Sequence, residues 1–183
     1  MTERKRAFSP PKTVSHPELL EAGSDHAFRE TLYLMAIGFG RLQSCREGFA
    51  RQIDLTSPQF AVLFGTAFQQ GDKGVMIRDL AEHIHLAATH VTTEVGRLIR
   101  KGLLKKTSDP SDRRSVLVSL SAQGEELVMR ATPLIREVND LLFKNVSRSE
   151  TDHVRSFLTK LALNSEVALA VLRQREQSAR LER

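Results

Sequence analysis

The sequence predicts an all-α protein with one small β-hairpin. Through most of the 183 residues, apolar side chains recur at three- and four-residue spacings, which is the periodicity of amphipathic helices. The pairs Thr56 with Gln59 and Ser147 with Glu150 have the spacing of capping boxes, which mark helix starts. The segments 103–107 and 115–120 are strand-like, and a polar, turn-forming stretch separates them, as in a hairpin.

The composition excludes several classes of protein. With 40% hydrophobic and 27% charged residues, the chain has the make-up of one globular domain. No run approaches the roughly 18 apolar residues of a membrane helix, and no apolar segment follows the basic N-terminus, so we expect a cytoplasmic protein that does not enter a membrane. A single cysteine, Cys45, gives neither an internal disulfide nor a CxxC zinc or redox motif. The common nucleotide-binding, zinc-protease and serine-hydrolase motifs are absent, so we expect no enzyme, catalytic residue, metal or cofactor.

The first two helices follow from apolar spacing and capping. A long helix is expected from Asp25 to about Ile53, within an N-terminal dimerisation segment at 25–55. Its apolar face consists of Phe28, Leu32, Met35, Phe39 and Leu42. Three prolines before it indicate a flexible basic arm over residues 1–24. Thr56 then caps a second helix to about Gln69, which is apolar around most of its circumference and must be buried on more than one side.

A helix-turn-helix pattern comes next. After a short strand-like stretch at 75–77, a first helix places Ile77, Leu80, Ala81 and Ile84 on one face. A turn at 85–87 leads to a second helix, with Val91, Val95, Leu98 and Ile99 on one face and Gly102 placed to stop it. His85 occupies the turn, where we expect a left-handed backbone and modest strain. The hairpin directly after the second helix is then a wing, so residues 56–121 form a winged helix-turn-helix domain.

Two C-terminal helices complete the chain over residues 122–183. Ser121 caps a helix from Ala122 to about Asn145, in which Pro133 is expected to introduce a bend. The last helix is expected from Ser149 to near Ser178, and its apolar seam is close to a heptad. We expect the first and last helices of two copies to pack together in a two-fold homodimer, the alternative being a seam buried within one monomer.

Positive charge is concentrated around the wing. The net charge is +5, and residues 97–114 carry seven basic against two acidic side chains, which equals the whole surplus. A solvated charged face would explain such a cluster equally well in isolation. Here, however, the cluster spans the end of the second helix and the wing, which are the parts of such a module that meet DNA phosphates.

The same residues resemble a known family. The segment 77–127, above all Asp109-Pro110-Ser111-Asp112-Arg113-Arg114 followed by a strand and then by Leu120-Ser121-Ala122-Gln123-Gly124, is similar to the MarR family of bacterial winged-helix regulators. The likeness covers about residues 25–175. It implies a homodimer that binds a double-stranded, pseudo-palindromic DNA operator, with a small molecule or an oxidant changing its affinity. Repression of transcription is the expected role, and activation is the alternative.

The resemblance and the helix positions together give a set of expected DNA contacts. In the major groove, they are Thr89, His90, Thr92, Thr93 and Arg97. In the wing, Asp112 is similar to the family's acidic residue that holds a neighbouring arginine, while Arg113 and Arg114 are expected to enter the minor groove. Position 93 often carries a basic residue in similar helices, so Thr93 prevents the base preference from being copied from a relative.

The resemblance also implies an effector pocket between the dimer helices and the winged domain, often occupied in the family by aromatic or otherwise lipophilic acids or their thioesters. The residues expected to line it are Phe39, Arg41, Arg46, Phe60, Phe64 and Phe68. The alternative for any single ring is an ordinary place in the hydrophobic core.

Three further hypotheses compete with this one. Cys45 is either an oxidation sensor or a packed thiol. His83, His85 and His90, with Glu82, invite a metal-sensing role, although their spacing gives no set of four ligands. A scaffold that uses the winged helix to contact another protein is the alternative of a different class. An enzyme acting on aromatic acids or thioesters has no residue in its favour.

Overall fold

A computed structural model describes residues 8–108 and 116–181. The chain divides into two compact units, Met1–Arg136 and Glu137–Arg183. The helices are α1 His26–Gln52, α2 Ser57–Gln69, α3 Ile77–His83, α4 Ala88–Arg100, α5 Ala122–Leu142 and α6 Arg148–Leu181, and the strands are β1 Val75–Met76, β2 Leu104–Ser108 and β3 Val116–Leu120. The predicted fold class, all-α with a small β-hairpin wing, is confirmed. In the part of the chain described, no helix is both long and apolar enough to span a membrane.

The segment before α1 contacts the N-cap residue of this helix. Asp25 is buried, and its Oδ2 accepts hydrogen bonds from the backbone N–H of Thr13 at 2.7 Å and from the Thr13 hydroxyl at 2.9 Å. These bonds, the N–H first, and the nearby Arg29 guanidinium lower the pKa of Asp25 although burial opposes them. A short 3₁₀ turn, Pro17–Leu19, lies between the two partners. Residues 1–7 lie outside the described part.

The helix α2 forms the centre of the first unit. As predicted, Thr56 accepts a hydrogen bond from the backbone N–H of Gln59, and the Gln59 side chain accepts one from the N–H of Thr56. Seven of its 13 residues are buried, on more than one side of the helix, as the sequence predicts. Gly65 brings α2 against α3, because a Cβ at this position would lie 2.5 Å from Ile84 Cγ2.

A small antiparallel sheet supports the wing. The strand order is β1-β3-β2, so β3 is central, with Val75 opposite Val118 and Leu104 opposite Leu120. The observed β2 begins and ends one residue later than the predicted strand. The Gln70 side chain joins α2 to this sheet, since its Oε1 accepts a hydrogen bond from the Leu120 N–H at 2.7 Å. Residues 109–115, which include the predicted hairpin tip, lie outside the described part.

The second unit contains the long helix α6. Its predicted capping box is present, with the backbone N–H of Ser147 donating to Glu150 at 2.8 Å and the Glu150 N–H donating back to the Ser147 hydroxyl at 3.2 Å. The Ser147 hydroxyl and N–H lower the pKa of Glu150. Large apolar side chains are exposed along α6, namely Val154, Phe157, Leu161, Leu163, Val167, Leu169, Val171 and Leu172.

Candidate DNA-binding site

The helix α4 has one buried face that fixes its orientation. Val91, Val95 and Leu98 are completely buried, at the helical spacings predicted from the sequence. They pack in the core to which α3 contributes Leu80 and Ala81. Burial of three large aliphatic side chains stabilises this position by several kcal/mol, at about 1.5–3 kcal/mol each. The opposite face of α4 is therefore held outward by the core.

The turn before α4 has the strained backbone that the sequence predicts. His85 has a φ of 53°, in the left-handed region that glycine occupies more readily. The chain reverses here because the Leu86 N–H bonds to the carbonyl of Ala81 at 3.1 Å. The next residue, Ala87, precedes the helix and provides no side-chain cap. Among the described residues no side chain caps the start of α4, and uncapped N–H groups at a helix start are able to bind phosphate.

The outward face of α4 carries the predicted major-groove contacts. All five of them are exposed, namely Thr89, His90, Thr92, Thr93 and Arg97. The hydroxyls of Thr92 and Thr93 donate to the carbonyls of Ala88 and Thr89, at 2.8 and 3.0 Å. The structure thus brings together on one surface all five residues that the sequence analysis selected in this helix.

Sequence analysis missed Glu94, which lies in the same helix but is buried. Its Oε1 accepts a hydrogen bond from Arg97 Nη1 at 2.6 Å and lies 3.6 Å from His90 Nε2. Its Oε2 has no hydrogen-bond partner among the residues that the structure describes. The spacing of Glu94 does indicate its burial, because positions 91, 94, 95 and 98 lie on one face of the helix.

Comparison with known proteins identifies this module. A family model described as MarR family matches residues 55–116. This segment of the chain is therefore similar to the MarR family. Relatives of this chain include named transcriptional regulators, which agrees with the predicted class of function.

The individual proteins that this chain resembles are distant in sequence. Transcriptional regulator HosA of Escherichia coli O111:H- is 29% identical, over 59% of this chain and 78% of its own length. Transcriptional activatory protein BadR of Rhodopseudomonas palustris is 29% identical, and the match covers 60% of this chain and 63% of BadR. The structure of Bordetella bronchiseptica BpsR, whose DNA binding is regulated by 6-hydroxynicotinic acid, is 25% identical with a TM-score of 0.58, covering 71% of this chain and 91% of BpsR.

Three lysines near the end of α4 and in β2 differ in whether they are hydrogen-bonded to other described residues. Lys101 Nζ donates a hydrogen bond to the backbone carbonyl of Asp54 at 2.8 Å, which joins the end of α4 to the connection between α1 and α2. Lys105 and Lys106, in β2, are exposed. The predicted wing contacts Asp112, Arg113 and Arg114 lie outside the described residues, so their roles stay predictions.

The structure separates the six residues predicted to line an effector pocket. Phe60 and Phe64 are buried and stacked, with ring centroids 4.4 Å apart, and Phe49 continues the stack at 6.1 Å from Phe60. Phe68 is 76% exposed, and Phe39 and Arg41 are also exposed. Side chains four residues apart share a helix face, so two rings on a helix as buried as α2 pack on each other. Phe60 and Phe64 are therefore core residues, the alternative weighed for single rings.

Arg46, the remaining predicted pocket residue, lines a cavity of about 500 Å³ within the first unit. The other lining residues are Gln43, Ser57, Pro58, Ala61, Ile84, His85 and Leu86. They come from α1, α2 and the turn before α4, so an occupant would touch the turn of the helix-turn-helix. A second cavity of about 350 Å³ lies between the end of α1 and α5, where Arg130 is the basic side chain and Phe49 and Leu127 are apolar.

The histidines considered for metal sensing do not lie together in the described part of the chain. His83 contacts the Gln69 side chain at 3.1 Å, whereas His85 lies in the turn and His90 is beside Glu94. Among the residues described, no cluster of three or more His, Cys, Asp or Glu side chains has the arrangement of a metal site. Cys45 is half-buried in α1.

Proposed function

We propose that this protein regulates transcription in the cytoplasm by binding a pseudo-palindromic operator as a homodimer, with α4 in the major groove. The observation that carries the proposal is the exposed face of α4, on which four polar residues and Arg97 lie opposite a completely buried apolar face. Short polar side chains and arginine are the groups that contact phosphates and base edges there. BpsR, a structural relative, binds DNA.

The wing extends this surface. We infer that Arg113 and Arg114 enter the minor groove and that Asp112 holds one of them, in addition to Thr89, His90, Thr92, Thr93 and Arg97 in the major groove. The exposed Lys105 and Lys106 add positive charge at the base of the wing. Two copies of α4 about 34 Å apart would meet successive major grooves on one side of the duplex.

We infer that residues 25–55 and 122–183 form the dimer. Only Phe49 and Ala50 of the 27 residues of α1 are buried, and large apolar side chains are exposed on both α1 and α6. On α1 they include Leu32, Tyr33, Leu34, Ile37 and Phe39. Apolar exposure on this scale is typical of a surface that a partner covers. A second copy of the chain is the partner that a palindromic operator requires.

We further propose that a small aromatic or lipophilic acid, or its thioester, binds in the cavity beside Arg46 and releases the operator, which makes the protein a repressor. The Arg46 guanidinium provides a partner for a carboxylate, and the cavity borders the strained turn at His85. BpsR responds to an aromatic acid of this kind. An occupant that shifts this turn would change the position of α4.

Selection of bound duplexes from a random DNA pool tests operator binding. The selected duplex is then titrated by fluorescence anisotropy at several salt concentrations with the wild type and an Arg113/Arg114→Ala variant. We expect a palindrome with half-sites one helical turn apart, bound at least about 10³-fold more tightly than random DNA. The variant should lose most of this preference. A Lys12/Lys73→Ala variant, which removes two exposed charges outside the proposed DNA and dimer surfaces, is the matched control, and an equal loss in both variants contradicts the assignment.

A second experiment tests the effector. The operator complex is titrated with 6-hydroxynicotinic acid, benzoate and benzoyl-coenzyme A. At least one should raise the Kd for DNA, and Arg46→Gln should weaken this response at least tenfold while Arg130→Gln, in the other cavity, leaves it unchanged. A response that is lost in Arg130→Gln instead places the ligand between α1 and α5, and no response to any compound contradicts the proposed ligand class.

A further inference from the structure

A buried carboxylate lies in the middle of the exposed recognition surface. Glu94 is only 2% exposed, although its helix neighbours His90 and Arg97 are on the outer surface. On its inner side lie Val91, Val95 and Leu98, which are completely buried. A charged group in such surroundings loses its hydration, and this costs free energy unless neighbouring groups compensate the charge.

Two side chains compensate the charge of Glu94, and both approach the same carboxylate oxygen, Oε1. Arg97 Nη1 donates to Glu94 Oε1 at 2.6 Å, which is a short, charge-assisted hydrogen bond. His90 Nε2 approaches the same oxygen to 3.6 Å, close enough for an ion pair when the imidazole is protonated. Oε2 has no hydrogen-bond partner in the described part of the chain. Both compensating side chains therefore belong to the set proposed to contact DNA.

This arrangement restricts Arg97. An arginine side chain on a helix surface samples many rotamers, and contact with DNA must then order it. Here a buried and immobile acceptor holds one guanidinium nitrogen, while the Arg97 side chain remains 51% exposed. The guanidinium is planar and carries five N–H donors, so fixing one donor limits the directions in which the others point.

We propose that Glu94 is a positioning residue that directs the Arg97 guanidinium, and secondarily the His90 imidazole, and thereby determines which base pair α4 recognises. The proposal rests on the DNA-binding function proposed above. A phosphate accepts a hydrogen bond from an arginine in many orientations, but the edge of a guanine requires a defined one. Loss of Glu94 should therefore reduce discrimination between sequences more than it reduces affinity for DNA in general.

The substitution Glu94→Leu distinguishes a role in positioning Arg97 from a role in stabilising the fold. Leucine is similar in size to glutamate and suits the apolar face at positions 91, 95 and 98, and replacement of a buried charge by such a residue is often neutral or stabilising. Glu94→Leu should thus melt at the same temperature as the wild type or higher. Glu94→Gln keeps an acceptor oxygen without the charge, so it should retain part of the positioning effect and serves as the second variant if Glu94→Leu does not fold.

The test uses the full chain and the duplex selected from random DNA. Kd is measured at fixed salt for this duplex, for a set in which each base pair of one half-site is changed, and for random DNA. In Glu94→Leu we expect discrimination at one or two base pairs to fall about tenfold or more, which is the scale of a directed arginine–guanine contact. Affinity for random DNA should stay within about threefold of the wild-type value, since the phosphate contacts remain. Glu82→Gln, which removes an exposed acid from α3, is the control for the change in net charge and should discriminate like the wild type.

A double substitution completes the test. If Glu94 acts through Arg97, then Glu94→Leu/Arg97→Ala should discriminate no worse than Arg97→Ala alone. Unchanged discrimination in a folded Glu94→Leu or Glu94→Gln protein, or additive losses in the double variant, would overturn the proposal while leaving DNA binding intact. If the wild type itself selects no sequence, the operator-binding function fails first, and the role of Glu94 fails with it.

Discussion

Replacement of Gly124 by alanine should destabilise the first unit through a contact between α5 and the strand end at Leu103. Gly124 is the third residue of α5, and a Cβ at this position would overlap the carbonyl oxygen of Leu103 and lie 3.4 Å from Leu120 Cδ2. The Leu103 oxygen has little room to move, because it already accepts a hydrogen bond from the Ser121 N–H at 3.1 Å. The first turn of α5 must therefore shift.

The magnitude follows from the contacts at this turn. Displacement strains or breaks the Ser121–Leu103 hydrogen bond, worth about 1 kcal/mol. It also disturbs the cap in which the Gly124 N–H donates to the Ser121 hydroxyl at 3.0 Å, and such caps are worth about 1 kcal/mol. Residual overpacking costs about 1–3 kcal/mol, and the higher helix propensity of alanine returns roughly 0.5–1 kcal/mol. The free energy of unfolding should therefore fall by about 2–4 kcal/mol.

Urea unfolding followed by circular dichroism, at one fixed protein concentration, measures this change. On heating, the expected loss corresponds to a Tm lower by about 4–16 °C. Gly48→Ala in α1 is the matched control, because the Cβ there would meet only the flexible end of Arg51 at 3.9 Å. It should stabilise the protein by about 0.5–1 kcal/mol. Equal stability of the wild type and Gly124→Ala would refute the close approach on which the reasoning depends.

Three other measurements test local features of the first unit. Thr56→Ala removes the capping box of α2 and should lower the free energy of unfolding by about 1 kcal/mol in the same urea assay, whereas an unchanged midpoint would mean that the cap contributes nothing. His85→Gly relieves the left-handed backbone and should raise the unfolding free energy by about 1 kcal/mol, and a loss instead would show that the His85 side chain has a packing role. Because the pKa of Asp25 is lowered in the folded state, its attachment to Thr13 is complete above the ordinary aspartate pKa of 3.8 and is lost as the pH falls below it. The NMR shift of the Thr13 N–H should report this loss, and a shift that stays constant down to pH 2 would contradict it.

Local signals in the sequence predicted local structure well. The capping residues at Thr56 and Ser147 act within four residues, so the pattern alone contains the whole interaction. The apolar stripe of α4 and the left-handed turn at His85 are likewise properties of short segments, and the structure has both. The strand β2 is displaced by one residue from the predicted segment 103–107, because its limits are set by pairing with β3 across the sheet.

Interactions between distant or atypical residues were not predictable in the same way. The attachment of Thr13 to Asp25 joins two polar residues 12 positions apart, and no periodicity marks such a pair. Glu94 was overlooked because a charged residue is ordinarily assigned to solvent, whereas here the buried face of α4 extends beneath it. The phenylalanine pattern of α2 is compatible with both a pocket lining and a core, and only the structure shows that Phe60 and Phe64 stack on each other in the core.

The strand order makes β2 an edge strand of the sheet, and this position affects association between molecules. With β3 at the centre, one side of β2 faces no other strand among those described. The unpaired N–H and C=O groups along the edge of a sheet readily pair with a strand of another chain, which leads to aggregation. Lys105 and Lys106 lie on this strand, and their positive charges repel the same edge strand of a neighbouring molecule. The lysines proposed above to add positive charge beside DNA therefore also help to keep separate molecules from joining their sheets.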